Sequence, residues 1–430
     1  MDTNEINGFN GYNGMGQVPV PDEGANRRKL NGRFIAGILI GFLVSALCIS
    51  AGVLFLVYTN RSRIGSLLPT DSELLSESTM FKIKALEDVI DTYYYKADVD
   101  KSVEADGLYK GLMDSLGDPY TVYYTEEELT EMMNSTKGIY YGIGAYVSYD
   151  TTLNMARISG VMPGSPAEAA DLCIDDIIYE VDGESTQGLS LEEVVALIKG
   201  EAGTTVHISL VRSGVADNVE VDLVRQEIEV PTVSTEVYDD GIGYLKITEF
   251  DEVTYTQFLE GMADLRAQDI KGLIIDLRSN PGGNLATVCD IARQLLPKGV
   301  IVYTEDRDGN REDYNCDGEN EIDIPVVVLV NQYSASASEI LAGALKDYGI
   351  GTLVGKTTYG KGIVQRIFDL RDGTAVKITV SSYFTPNGIN IHGVGIEPDV
   401  EVEFDSEAYS EDKTDTQLEK ALEVMRGKLK

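Results

Sequence analysis

IPVVVLVNQYSASASEILAGALKDYG, residues 324–349, passes from an unbroken apolar run into a stretch whose apolar residues recur every three or four positions. The first part is a strand apolar on both faces and the second a helix beginning at Ser336, so a buried parallel sheet is expected, with helices on both sides. Working outward, GIGYLKITEF (241–250), KGLIIDLR (271–278) and GTLVGK (351–356) read as companion strands, with helices predicted from Thr254 and from Asn284. The result is an α/β core over 227–405.

The strand-to-helix junction places the Ser336 hydroxyl where the first-turn amides of a helix point at whatever it attacks. Ala337 N–H is one candidate oxyanion donor. IIDLRSNPGGNLA (274–286) ends another strand in paired glycines, and without a Cβ the amides of Gly282 and Gly283 can approach a substrate closely, supplying a second. In GKTTYGKGIVQ (355–365), Lys361 is flanked by glycines and followed by Ile363 and Val364, a setting for a desolvated lysine able to accept a proton. Gln365 can orient that amine only if the chain bends at Gly362, since a straight strand separates the two by roughly 13 Å. Hydrolysis by an activated serine needs neither metal nor organic cofactor, and no cofactor is expected.

Composition narrows the class. With 430 residues and 43% apolar content, two or three packed domains are expected. A net charge of −36 argues against nucleic acid. Cys48, Cys173, Cys289 and Cys316 form no CxxC pair, and His207 and His392 are the only histidines, so no zinc site and no multi-imidazole mechanism is indicated.

Residues 1–33 read as a disordered tail. FIAGILIGFLVSALCISAGVLFLVY (34–58) carries no charge and is long enough to cross a bilayer as an uncleaved transmembrane helix. Arg27, Arg28, Lys29 and Arg33 precede it, which places the N-terminus in the cytoplasm and the remainder outside the cell membrane. A linker and small helical region follow over 59–135, with KIKALEDVIDTYYY (82–95), SVEADGLYKGLMDSL (102–116) and a helix opened by a Thr125/Glu128 capping box. Between 136 and 226 come five short strands separated by Gly and Asp-Gly turns, a short helix at PGSPAEAAD (163–171), and a helix at LSLEEVVALIKG (189–200) opened by Ser190 and Glu193. EDRDGNREDYNCDGENEID (305–323) is an acidic insertion read as a solvated loop in preference to a calcium loop, because its twelfth position, counted from Asp313, is Ile324 rather than glutamate. TDTQLEKALEVMRGKLK, within a C-terminal helical segment over 406–430, reads as one more exposed helix.

SASASEI with Ser336, Asp347 eleven residues on, GKG with Lys361 twenty-five residues on, DLRSNPGG and INIHGVGIEPDV together resemble the C-terminal processing peptidase family, the tail-specific proteases. The resemblance spans about Thr79 to Glu403. It implies a serine endopeptidase with a Ser336/Lys361 dyad assisted by Gln365, on a crotonase-like αβ spiral core with an inserted α+β PDZ domain at 136–226. Asp347 matches a family position expected to order the site, though an acid at a helix end is equally the mark of a solvated terminus. His392 lies in a family tail motif and is not needed as base.

Gly142, Ile143, Gly144 and Ala145 resemble the PDZ loop that holds a terminal carboxylate, with Val194, Val195 and Ile198 as the groove wall for an apolar substrate end. Expected partners are therefore proteins or peptides with free apolar C-termini and, through the span, a membrane. The family also implies homodimers formed through helices at either end of the external region. The competing class is a scaffold that binds tails without cutting them.

Overall fold

The computed structural model describes residues 73–96 and 99–430. The tail at 1–33, the apolar segment at 34–58 and the linker up to residue 72 lie outside the described residues, among which no helix is long and apolar enough to cross a membrane. The chain forms two compact units, one ending at Val99 and one beginning at Asp100. In the first, Ser76 caps a helix, Glu77–Tyr93, that buries none of its residues within the unit.

The second unit opens with the helices Lys101–Asp114 and Glu126–Lys137, the latter closed at its start by the expected Thr125/Glu128 box. Gly138 ends it in a left-handed conformation (φ 73°), where a Cβ would come within 2.5 Å of Val253 Cγ2. Glycine therefore turns the chain into the next domain against the start of helix Glu252–Ala267.

That next domain has one six-stranded antiparallel sheet in the order Ala145–Asp150, Met155–Val161, Ile177–Val181, Thr205–Val211, Val219–Val224, with Glu184–Ser185 beside the third strand. Its apolar core is separate from that of the α/β domain and includes Ile143, Ile158, Ile178, Val194 and Ile208. Helix Leu191–Ile198 starts at Ser190 with Glu193 closing its box, as its Ser-x-x-Glu spacing predicts. A two-stranded ribbon, Ile139–Gly142 against Gln226–Glu229, brings entry and exit of the domain side by side.

In the α/β domain the sheet order is Val233–Tyr238, Ile242–Ile247, Gly272–Asp276, Val326–Val330, Gly351–Gly355, Val400–Glu401, parallel except for its first pair. Gly272–Asp276 and Val326–Val330 are buried at every position. Alternate residues serve opposite faces: Leu273, Ile275, Val326 and Val328 pack with Phe258, Ile291 and Leu341 of three helices, while Ile274, Val327 and Leu329 pack with Ala421, Leu422 and Met425. The C-terminal helix, Thr416–Lys428, is thus not an exposed helix but the cover of the second sheet face. Its many charges mask a stripe of small and apolar residues at helical spacing. Arg278 fastens this helix by pairing with Asp276 and Asp415. The first α/β helix runs Glu252–Ala267, opening two residues before the predicted Thr254 because Asp251 is its cap.

A second, antiparallel sheet contains Ile363–Asp369, Ala375–Phe384, Gly299–Asp306 and Arg311–Cys316, joined by Val122–Tyr124 from the helical region. Two expectations are corrected here. The acidic insertion is largely a β-hairpin, in which the alternating neighbours of Tyr314 find cross-strand partners. The part of the helical region that lies in the second unit is not separate from the core, because Val122–Tyr124 pairs with Ala375–Phe384 in its sheet.

Candidate active site

Ser336 caps helix Ala337–Asp347 with φ 55° and ψ −114°, a backbone region that costs a non-glycine residue about 1–3 kcal/mol. The surroundings hold it there. Its N–H donates to Glu339 Oε2 at 2.8 Å, and its carbonyl accepts the Tyr383 hydroxyl at 3.0 Å. Glu339 is fully buried and serves the next segment too: Oε1 accepts from the Thr358 hydroxyl (2.5 Å) and the Gly360 amide (2.7 Å), and Oε2 from the Lys361 amide (2.9 Å). One carboxylate therefore fixes both Ser336 and the Lys361 turn. The sequence reading missed Glu339, although Ser336-x-x-Glu339 has the spacing of the two capping boxes that it recognised.

The glycine turn packs directly on the serine. A Cβ on Gly282 would lie 2.7 Å from Ser336 Cβ and 3.0 Å from Ala337 N, so only glycine fits there. Asn280 organises this turn: its Oδ1 accepts Gly282 N–H at 2.8 Å, and its carbonyl accepts from Ala335 N–H and the Ser338 hydroxyl. Gly282 is thus corrected as an oxyanion donor, because its amide is already bound to Asn280. Among the described residues the amides of Gly283 and Ala337 have no hydrogen-bond partner.

Lys361 is partly buried, and its amine lies 4.3 Å from the ring centroid of Tyr120. Burial, with Lys377 nearby, pulls its pKa below the ordinary lysine value against the opposing pull of Asp118 and Glu339. Tyr120 follows Asp118 in a turn leading into Val122–Tyr124, and a hydrogen bond with Tyr359 pushes its phenol up to about 12. Neither residue was singled out from the sequence. Their place beside Lys361 follows from a strand pairing across more than 250 residues.

Three further positions depart from expectation. Among the described residues no hydrogen bond joins Lys361 to Ser336 or to Gln365; Gln365 Nε2 donates instead to Thr379 Oγ1 at 3.2 Å. The pairing of its strand shifts register between Val364 and Gln365. Asp347 ends the helix that Ser336 begins, roughly 16 Å away along the axis. There it accepts Asn387 N–H at 2.8 Å and orders a loop rather than the serine.

A groove of about 950 Å³ opens between the helical region and the antiparallel-sheet domain, lined by Gly142, Ile143, Gly144 and Ala145 and by Val195, Ile198 and Lys199. Val194 is excluded from the wall because it turns into the domain core with no exposure. The carbonyl of Ile143 is tied to Ala167 N–H and that of Gly144 to Met162 N–H. Because each peptide is planar, the amides of Gly144 and Ala145 point the opposite way, toward the groove. A donor pair of this kind suits a carboxylate.

At the far side of the groove, burial, aided by neighbouring Glu249, pushes Asp251 up to about 7. Between the unfolded value of 3.8 and about 7 the folded chain holds the extra proton, so this residue costs stability increasingly as pH rises through that window. Asp251→Asn, which keeps a helix cap, is expected to gain thermal stability over the wild type on going from pH 4.5 to 8; melting curves at the two pH values measure it.

Comparison with known proteins decides the family. Residues 241–402 match the pattern of peptidase family S41, and 157–212 match that of a PDZ domain. The chain is 38% identical over 322 residues to the carboxyl-terminal-processing protease of Synechocystis sp., covering 74% of this chain and 75% of that one. This chain belongs to peptidase family S41. It is also 37% identical over 364 residues to the carboxy-terminal processing protease CtpA of Bacillus subtilis, covering 84% of this chain and 76% of its relative. Among solved structures it is similar to the photosystem II D1 C-terminal processing protease, at 31% identity and a TM-score of 0.45, covering 76% of this chain and 88% of that one. As an S41 member with a PDZ domain, the chain is a C-terminal processing serine protease.

Proposed function

We propose that the chain is a membrane-anchored endopeptidase of extracytoplasmic proteins that captures a substrate's free C-terminus in the PDZ groove and cuts it with a Ser336/Lys361 dyad. The observation that carries the dyad is Glu339, which holds the strained serine and the lysine turn through one carboxylate. In this reading the neutral Lys361 amine takes the Ser336 proton as Oγ attacks the scissile carbonyl. The amides of Gly283 and Ala337 receive the developing oxyanion, and Lys361 passes the proton to the leaving amine. Water then releases the acyl group from Ser336 by the same route. In this reading the hydrogen bond between amine and hydroxyl forms when substrate is bound, as catalytic contacts in free enzymes commonly do.

The anchor rests on the uncharged segment at 34–58 and the basic residues before it. The crotonase-like spiral rests on the family resemblance, as do the homodimer and any supporting role for Gln365. Groove amides beside Val195 and Ile198 support an apolar free terminus as the ligand.

Incubating the full chain in detergent with an unstructured protein bearing an apolar tail, free or amidated, tests the reading by mass spectrometry of the products. Cleavage of the free form, slower cleavage of the amidated form and none by Ser336→Ala are expected. Tail binding without cleavage by any form would replace this reading with the scaffold.

A further inference from the structure

The groove holds a side-chain donor at the carboxylate loop that the loop's own pattern does not include. Tyr140 lies two residues before Gly142, and its ring packs on that glycine, where a Cβ would come within 3.1 Å of Cε2. Its hydroxyl reaches the Met162 sulfur at 3.2 Å, and Met162 in turn donates its amide to the Gly144 carbonyl at 2.9 Å. The phenol is therefore placed at the loop itself. Burial, with Tyr146 next, pushes its pKa up to about 12 against the opposing pull of the Gly144 amide, so it keeps its proton at any physiological pH. A thioether is a weak acceptor, so the hydroxyl, whose oxygen also meets the Gly144 amide, has its own proton committed only to a weak partner.

Resting on the tail-capture reading above, we infer that Tyr140 is a specificity-determining residue whose hydroxyl turns from Met162 to the substrate's terminal carboxylate, adding a side-chain donor to the Gly144 and Ala145 amides. The exchange replaces a neutral O–H···S contact with a charge-assisted bond. An amidated terminus offers a neutral carbonyl in its place, so Tyr140 sharpens the choice of free ends over internal or blocked ones. No proton is transferred, because the phenol remains the donor throughout.

The test is fluorescence anisotropy of a labelled decapeptide with an apolar last residue, as free acid and as amide. It uses the full chain carrying Ser336→Ala, so that nothing is cut. The parent is expected to prefer the free acid. Tyr140→Phe keeps the ring and should weaken free-acid binding on the order of ten-fold, leaving amide binding unchanged. Met162→Leu removes the sulfur but not the hydroxyl, and should keep free-acid binding within about two-fold of the parent if one resting contact is all it changes. Equal or tighter free-acid binding by Tyr140→Phe would overturn the inference, as would a loss in Met162→Leu matching that in Tyr140→Phe, which would show a packing role. A parent indifferent to amidation would instead sink tail capture itself.

Discussion

Lys361→Ala is expected to lower kcat/KM on a free-tailed substrate by roughly three orders of magnitude, the contribution of a positioned general base. Binding of the tail should be unaffected, since the groove is built from other residues. Lys361→Arg should be nearly as poor, because a guanidinium does not give up its proton at any working pH. Steady-state kinetics with the two variants, beside anisotropy with the labelled decapeptide, separate the chemical step from capture. Both losses depend on burial lowering the lysine's pKa, and the turn that buries it hangs on a single carboxylate.

Glu339→Ala is therefore expected to be the most damaging change to stability and activity together. It leaves the amides of Ser336, Gly360 and Lys361 and the Thr358 hydroxyl without their acceptor in a fully buried site, a loss of roughly 3–5 kcal/mol. Without that tether only the Tyr383 hydroxyl still bonds the strained Ser336 backbone. Glu339→Gln keeps the volume but does not rescue the site. Whichever oxygen becomes the NH₂ group, it faces at least one N–H donor: Gly360 on one side, Ser336 and Lys361 on the other. Chemical denaturation of both variants, with kinetics under conditions where each remains folded, measures the two effects.

The main features of the α/β domain were legible because its central strands have no polar face: GLIID and VVVLV can only be interior, and the caps at Asn284 and Ser336 mark the helices that follow. The capping boxes of Thr125 and Ser190 were legible for the same local reason. What local pattern cannot carry is pairing at a distance. Nothing near Val122–Tyr124 indicates that it joins a strand beginning at Ala375, and so Tyr120 and Asp118 went unnoticed beside Lys361. A strand with four polar residues in six, Arg311–Cys316, lacks the alternation that reveals a half-buried strand, because only Tyr314 and Cys316 turn inward. Face assignments within an element failed where the period was read but its phase was not: Val194 turns to the core while Val195 lines the groove, and Gln365 turns to Thr379. Glu339 is the instructive miss, since its capping spacing was in view and only its burial shows that it also holds the lysine turn.

The most direct test of the dyad is the pH dependence of kcat/KM for the full chain on a free-tailed substrate. One rising limb is expected, with its midpoint below the ordinary lysine value of ~10.4, absent in Lys361→Ala and unmoved in His207→Gln and His392→Asn. A limb that persists without Lys361, or that disappears with either histidine, would contradict it.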